Sequence, residues 1–176
     1  MDTVFRKLRR FNIIMGALHL VQGIIMLILA TSVIQKISEF SPEIKQFYIT
    51  YNLDTQSLET VGRTLFQLPF GILVAGFLLI SAAAHALISV PNKLNALYNS
   101  DLQKGINKFR WFEYALSSSV MIVLISTLFG IYDIGTLILI FVVNASMNLF
   151  GLVMEQLNSK RESEKVNWGP FVWGSI

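Results

Sequence analysis

The stretch RWFEYALSSSVM (110–121) opens an apolar run that continues to Phe129. It places Arg110, Glu113, Tyr114 and the serines Ser117, Ser118 and Ser119 inside a segment otherwise greasy enough to cross a bilayer. A charge near the bilayer centre costs roughly 2.5–3.5 kcal/mol on insertion scales, so such residues face a bundle interior or a cavity. The question is what stands opposite Glu113.

The composition puts the whole chain in lipid. Of 176 residues, 53% are hydrophobic and 14% charged, and the mean hydropathy is +0.58. Soluble domains carry about 25% charged residues. A spanning helix needs roughly 20 mostly apolar residues, and four segments qualify: 11–34, 65–90, 109–129 and 134–157. A fifth, WGPFVWGSI (168–176), is too short to cross and reads as the start of a span that continues elsewhere. The first run follows RKLRR, but it is too long for a signal-peptide core, and TSVIQK is a poor cleavage site, so it reads as an uncleaved span. The expected fold is an all-α membrane bundle forming one transmembrane domain.

Charge orients the bundle. Arg6, Lys7, Arg9 and Arg10 precede the first span. Lys93, Lys104, Lys108 and Arg110 lie between the second and third, and Lys160, Arg161 and Lys165 follow the fourth. Alternating spans put all three groups on one side, while the other side has only Lys36, Lys45 and Arg63 spread along a loop. The positive-inside rule then places the N-terminus in the cytoplasm of a multi-pass cell-membrane protein. The same asymmetry accounts for the pI near 9.3 without invoking nucleic acid. The loop 35–64 is too long for a bare connection. FYITYNLD is aromatic and β-branched and NLDTQ suits a turn, so either a hairpin outside the membrane or an interfacial amphipathic helix fits. Pro91 ends the second span, and PNKLNALYNSDLQKG forms a partly helical inner connection. With no cysteine and two histidines, a structural zinc site is disfavoured. No phosphate loop, metal cluster or nucleophile–base pair speaks for an enzyme.

The polar residues within the spans have readable spacing. His19 and Gln22 are three apart, and Ser81 and His85 four apart, so each pair shares a helical face. Glu113 and Ser117 share a face, with Tyr114, Ser118 and Met121 on the adjoining one. Asn144, Asn148, Gly151 and Glu155 form one stripe. By helical rise, His19 lies about 12 Å past Phe11, His85 about 9 Å before Pro91 and Glu113 about 6 Å past Phe109. Two imidazoles and a carboxylate thus reach similar depth from one side, which argues for a polar cavity. Blander readings stand beside this one. A membrane histidine can bridge two helices, Glu113 can snorkel beside Arg110, and Asn144 and Asn148 can be interhelical glue. Glu155 falls in the interface, and Gly16, Gly23, Gly71 and Gly76 read as packing contacts.

RWFEYALSSSVM, followed by NASMNLFGLVMEQ in the fourth span, resembles the heliorhodopsins, a family of seven-helix retinal photoreceptors with a cytoplasmic N-terminus and a β-hairpin after the first helix. The resemblance covers the chain as helices one to four and the start of helix five. It implies that Glu113 is the counterion of the protonated retinal Schiff base, an opposite charge that favours the protonated form. It implies that His19, His85, Gln22 and Ser81 line the polar cavity nearby. Tyr114, Ser117, Ser118, Met121, Asn144, Met147 and Gly151 match positions near the retinal, and Trp168 or Trp173 matches an aromatic wall. The family's retinal-binding lysine lies on helix seven. The lysines here are Lys7, Lys36, Lys45, Lys93, Lys104, Lys108, Lys160 and Lys165, all outside the four apolar segments. Covalent retinal attachment through this chain alone is therefore not expected, and the sequence reads as truncated. The resemblance further implies a homodimer, a signalling role rather than strong ion pumping, and an intracellular signalling partner of unknown identity. The alternatives are a four-span membrane adaptor or assembly protein, and a proton-coupled transporter using Glu113 and the membrane histidines.

Overall fold

The computed structural model describes residues 2–33, 40–160 and 165–176. Ile34, Lys36 and Arg161, used above for the end of the first span and for loop charge, lie outside the described residues. Four helices are long and apolar enough to cross a membrane. Helix α1 (Asp2–Ile28) begins earlier than the apolar run at Phe11, because the basic residues of its first turns are good helix formers. It continues as a short π-helical stretch, Leu29–Val33, where Thr31 Oγ1 donates to Leu27 O at 2.8 Å.

The long loop is a β-hairpin, not an interfacial helix, over its described part. β1 (Glu43–Asn52) pairs antiparallel with β2 (Ser57–Gln67). Asn52 Oδ1 makes the turn by accepting from Asp54 N at 2.9 Å and Thr55 N at 3.3 Å. The second strand runs through Leu65 and Phe66, so the second membrane helix, α2 (Phe70–Ser89), starts at Phe70 and not at Leu65. Hydropathy alone joins LFQ to the span. The backbone separates them because Leu68 N donates to Pro42 O at 2.9 Å and Pro69 stands immediately before the helix. Ile44 anchors the hairpin, fully buried in a cluster with Leu68, Leu124 and Leu137.

Helix α2 ends as Pro91 dictates, and the connection is a complete helix, α3 (Asn92–Gln103). Asn95 Nδ2 bonds Ile88 O at 2.7 Å, and Arg9 reaches from α1 to Ser89 O at 2.7 Å, so the bare carbonyls at the end of α2 are met by side chains. Helix α4 (Lys108–Leu128) is capped by Asn107, and α5 (Ile134–Asn158) by Asp133. A short α6 (Gly169–Ser175) follows. The helices pack in sequence: α1 on α2, α2 on α4, α4 on α5, and α5 on α6. Gly16 and Gly23 permit the first contact, because a Cβ there would meet His85 Cβ at 3.1 Å and Leu79 Cδ2 at 2.8 Å. Gly76 does not serve this way: nothing lies within 4 Å of a Cβ built on it. Large apolar side chains such as Ile14, Leu18, Val21 and Ile25 remain exposed on α1, as on a helix facing lipid.

Candidate functional site

Glu113, in the second turn of α4, is held by two hydroxyls. Ser81 of α2 donates to Oε1 at 2.5 Å, and Ser117, one turn along α4, donates to the same oxygen at 2.8 Å. The Ser81 bond is short, and the Ser117 bond has the ordinary length for a hydroxyl donor. One turn from Ser81, His85 stacks on His19 of α1, with ring centroids 5.7 Å apart and planes at 15°. Asn12 Oδ1 lies 3.2 Å from His85 Nδ1. His19 Nδ1 is buried without a partner among the described residues. Glu113, Ser81, Ser117, His85 and His19 line a cleft of about 530 Å³ whose remaining walls are Phe11, Met15, Phe77, Tyr114, Ser118 and Met121. A smaller cavity of about 240 Å³ adjoins it, sharing Phe11, His85, Glu113 and Tyr114 and extending to Tyr98 and Asn107. The convergence of the two imidazoles and the carboxylate inferred from depth is thus present.

Glu113 does not snorkel beside Arg110. The Arg110 guanidinium lies over the Trp111 ring, 4.8 Å from its centroid, and 5.8 Å from that of Tyr114. Among the described residues no ion pair reaches Glu113. The carboxylate is thus hydrogen-bonded on one oxygen with no cationic nitrogen within 4 Å among the described residues, although Arg110 lines the smaller cavity with it, in a cleft with one polar pole and mostly apolar walls.

The stripe on α5 forms the opposite support of α4. Asn144 Nδ2 donates to Ser118 Oγ at 2.8 Å and Ser119 Oγ at 3.0 Å, and Asn148 Nδ2 donates to Ser118 Oγ at 3.2 Å. Ser118 in turn donates to Tyr114 O at 2.5 Å. Gly151 lies against the buried Trp111 ring, where any Cβ would collide. Glu155 Oε2 accepts from Asn107 N at 2.7 Å, so it ties the start of α4 to α5. Interhelical glue is what the two asparagines make here, and it sets the rotation that turns Glu113 toward α2.

Other residues singled out in the sequence lie elsewhere. Gln22 is exposed and does not line the cleft. The inner face of α1 runs through Asn12, Gly16, His19 and Gly23, and Gln22 sits one position off that seam. Met147 lines a separate groove between α5 and α6 with Asn144 and Ile140. Trp168 precedes α6, 56% exposed, and packs edge-on against Phe171. Asn12 is the residue that spacing should have supplied: it lies seven before His19, two helical turns on the same face. Phe11, Met15 and Phe77 are ordinary apolar residues with no individual signal.

Four helices able to cross a membrane, with a mostly apolar inter-helical cleft and a carboxylate at its polar pole, define a polytopic membrane protein with a cleft between its helices. The family model for heliorhodopsin matches residues 8–176, and the chain belongs to the heliorhodopsin family. At family level it is a rhodopsin-like, light-sensing membrane protein. No curated protein matches the chain.

Proposed function

We propose that these residues form the counterion side of a retinal photoreceptor's pocket, with Glu113 as counterion. The observation that carries this is Glu113 itself: a carboxylate fixed by Ser81 and Ser117 in the cleft, with no cation beside it among the described residues. The cleft suits the group. Phe11, Met15, Phe77, Tyr114 and Met121 offer apolar wall for a polyene, and Glu113, His19 and His85 cluster where a cationic end would rest. Retinal, when bound through an amine, supplies light-driven isomerisation and a positive nitrogen. This chain's residues balance and receive the charge. Glu113 favours the protonated nitrogen. With Asn12 Oδ1 accepting from His85 Nδ1, the Nε2 of His85 is left to take a proton.

The amine comes from outside these residues on this reading. Lys108 is paired with Asp101 at 3.1 Å at the start of α4, and no lysine lines the cleft among the described residues. Covalent attachment through this chain alone is therefore excluded in the proposal. A sensing role is favoured over transport because Ser126 and Thr127, in the far half of α4, spend their hydroxyls on the carbonyls of Ile122 and Leu124 and open no polar route. The proposal keeps the N-terminus cytoplasmic, on the charge asymmetry of Arg6, Lys7, Arg9, Arg10, Lys93, Lys104 and Lys160. It also keeps a homodimer and an intracellular partner, on family grounds.

Absorption spectroscopy with all-trans retinal tests this. A heliorhodopsin chain carrying this sequence and a lysine-bearing helix becomes coloured, and Glu113→Gln shifts its band. Residues 1–176 alone give no hydroxylamine-sensitive visible band. A band unmoved by Glu113→Gln, or a covalent pigment from residues 1–176, would overturn the assignment.

A further inference from the structure

A second feature faces away from the cleft. Ile13, Gly16, Ala17 and Leu20 of α1 lie at spacings of three, one and three, on one helical face. With Leu79, Ala82, Ala83 and Ala86 of α2 they line a groove of about 330 Å³, which shares only Asn12 with the two cavities that Glu113 lines. Asn12 lies at one end of it, 4% exposed, and its Nδ2 has no partner among the described residues. Its Oδ1 is engaged by His85, so the free donor calls for an acceptor from another source.

The stripe continues toward the N-terminus as Arg10, Arg9 and Arg6, three, four and seven positions before Ile13. Arg6 and Arg10 are exposed. Arg9 is fixed on the groove's rim by Ser89 O at 2.7 Å and Val90 O at 3.1 Å. No acidic side chain lines the groove among the described residues. Down the axis the order is arginine cluster, buried amide donor, apolar trough. Arg9 to Asn12 spans about 4.5 Å of rise, and Asn12 to Leu20 about 12 Å. A phospholipid presents phosphate, ester carbonyl and acyl chain in that same order.

We propose that this groove binds an anionic phospholipid. Arg6 and Arg10 meet the phosphate and its negative headgroup, Asn12 Nδ2 donates to an ester carbonyl, and an acyl chain lies between Ala17 and Ala83. The small side chains at those positions keep the trough open, and the positive charge selects an anionic over a zwitterionic headgroup.

The test is native mass spectrometry of the full chain released from nanodiscs holding equal dioleoyl phosphatidylglycerol and dioleoyl phosphatidylcholine. One retained phosphatidylglycerol is expected. Arg6→Gln and Arg10→Gln should each lower its preference over phosphatidylcholine about fivefold, near 1 kcal/mol per basic residue at a membrane surface. Ala83→Phe and Ala17→Phe, filling the groove from opposite walls, should each abolish retention. Either one decides the matter if the other fails to fold, as judged by circular dichroism. Equal retention of both lipids means annular lipid only and overturns the site. Retention that survives filling, even if it depends on the arginines, means surface attraction only and overturns it too.

Discussion

Among the described residues the Ser81–Glu113 hydrogen bond is the single polar tie between α2 and α4 at the site, and its strength can be measured without any ligand. The perturbation is a double-mutant cycle: Ser81→Ala, Glu113→Ala and the pair, since a glutamine Oε1 at 113 would still accept from Ser81. Ser81 sits beside Ala82, Ala83 and Ala84, so removing its hydroxyl disturbs little else. Interhelical bonds in membranes average about 0.6 kcal/mol and reach about 1.7. Bonds to charged groups in general contribute about 1.5–3 kcal/mol. The donor–acceptor distance of 2.5 Å and the ionisable acceptor place this one near the top of the membrane range. Ser117 shares the acceptor and limits the loss in Ser81→Ala. The expected coupling is about 1–1.7 kcal/mol. Reversible unfolding in mixed micelles, followed by circular dichroism as the SDS fraction rises, reads it. The matching cycle with Ser117→Ala reports a bond within one helix and separates helix pairing from local effects. Additivity of Ser81→Ala and Glu113→Ala within about 0.3 kcal/mol would refute the claim that the carboxylate joins the two helices.

Gly151→Ala should destabilise the bundle by at least about 1–3 kcal/mol, because its methyl collides with the buried Trp111 ring. Gly76→Ala, with open space at its Cβ, should be neutral or stabilising by up to about 1 kcal/mol; the same micelle titration compares them. Asp133 is held below the ordinary carboxylate range by Thr136, whose N–H and hydroxyl both donate to it, with the backbone N–H groups of Phe47 and Gly135 adding to the effect. Glu59 is lowered by Asn52 and Thr55. Carboxylates lowered on folding contribute stability above their unfolded pKa of about 4 and lose it as pH falls through the folded value. Protection factors for hydrogen exchange at Phe47 and Thr136, taken against the intrinsic rate at each pH, should therefore fall on acidification below about pH 4, and Asp133→Asn should flatten that dependence. Asn158 and Asn167 bond reciprocally, Asn167 N to Asn158 Oδ1 at 2.7 Å and Asn158 Nδ2 to Asn167 O at 3.0 Å. Asn158→Ala should loosen α6, seen as faster exchange at Asn167 and altered Trp168 emission.

What the sequence discloses and what it hides have separate physical causes. The four helices are visible because lipid demands about 20 apolar residues in a row. The start of α2 is hidden because Leu65 and Phe66 are apolar whether they lie in strand or helix, and only the pairing with β1 decides. Depth is legible, since helical rise is constant. That is why His19, His85 and Glu113 come together as their distances from the span ends require. Rotation is less legible. A spacing of three leaves about 60° between side chains, enough to carry Gln22 out of the seam that holds His19. The seam becomes readable only when small residues are counted with polar ones. Asn12, Gly16, His19 and Gly23 step by four, three and four, and the glycines mark where α2 comes close. The α5 stripe of Asn144, Asn148, Gly151 and Glu155 steps by the same intervals, and every member touches α4 or its cap. In a bundle without water to drive burial, close approach and interhelical hydrogen bonds decide rotation. The residues that position Glu113 are therefore the glycines and asparagines on neighbouring helices, more than the residues beside it in RWFEYALSSSVM.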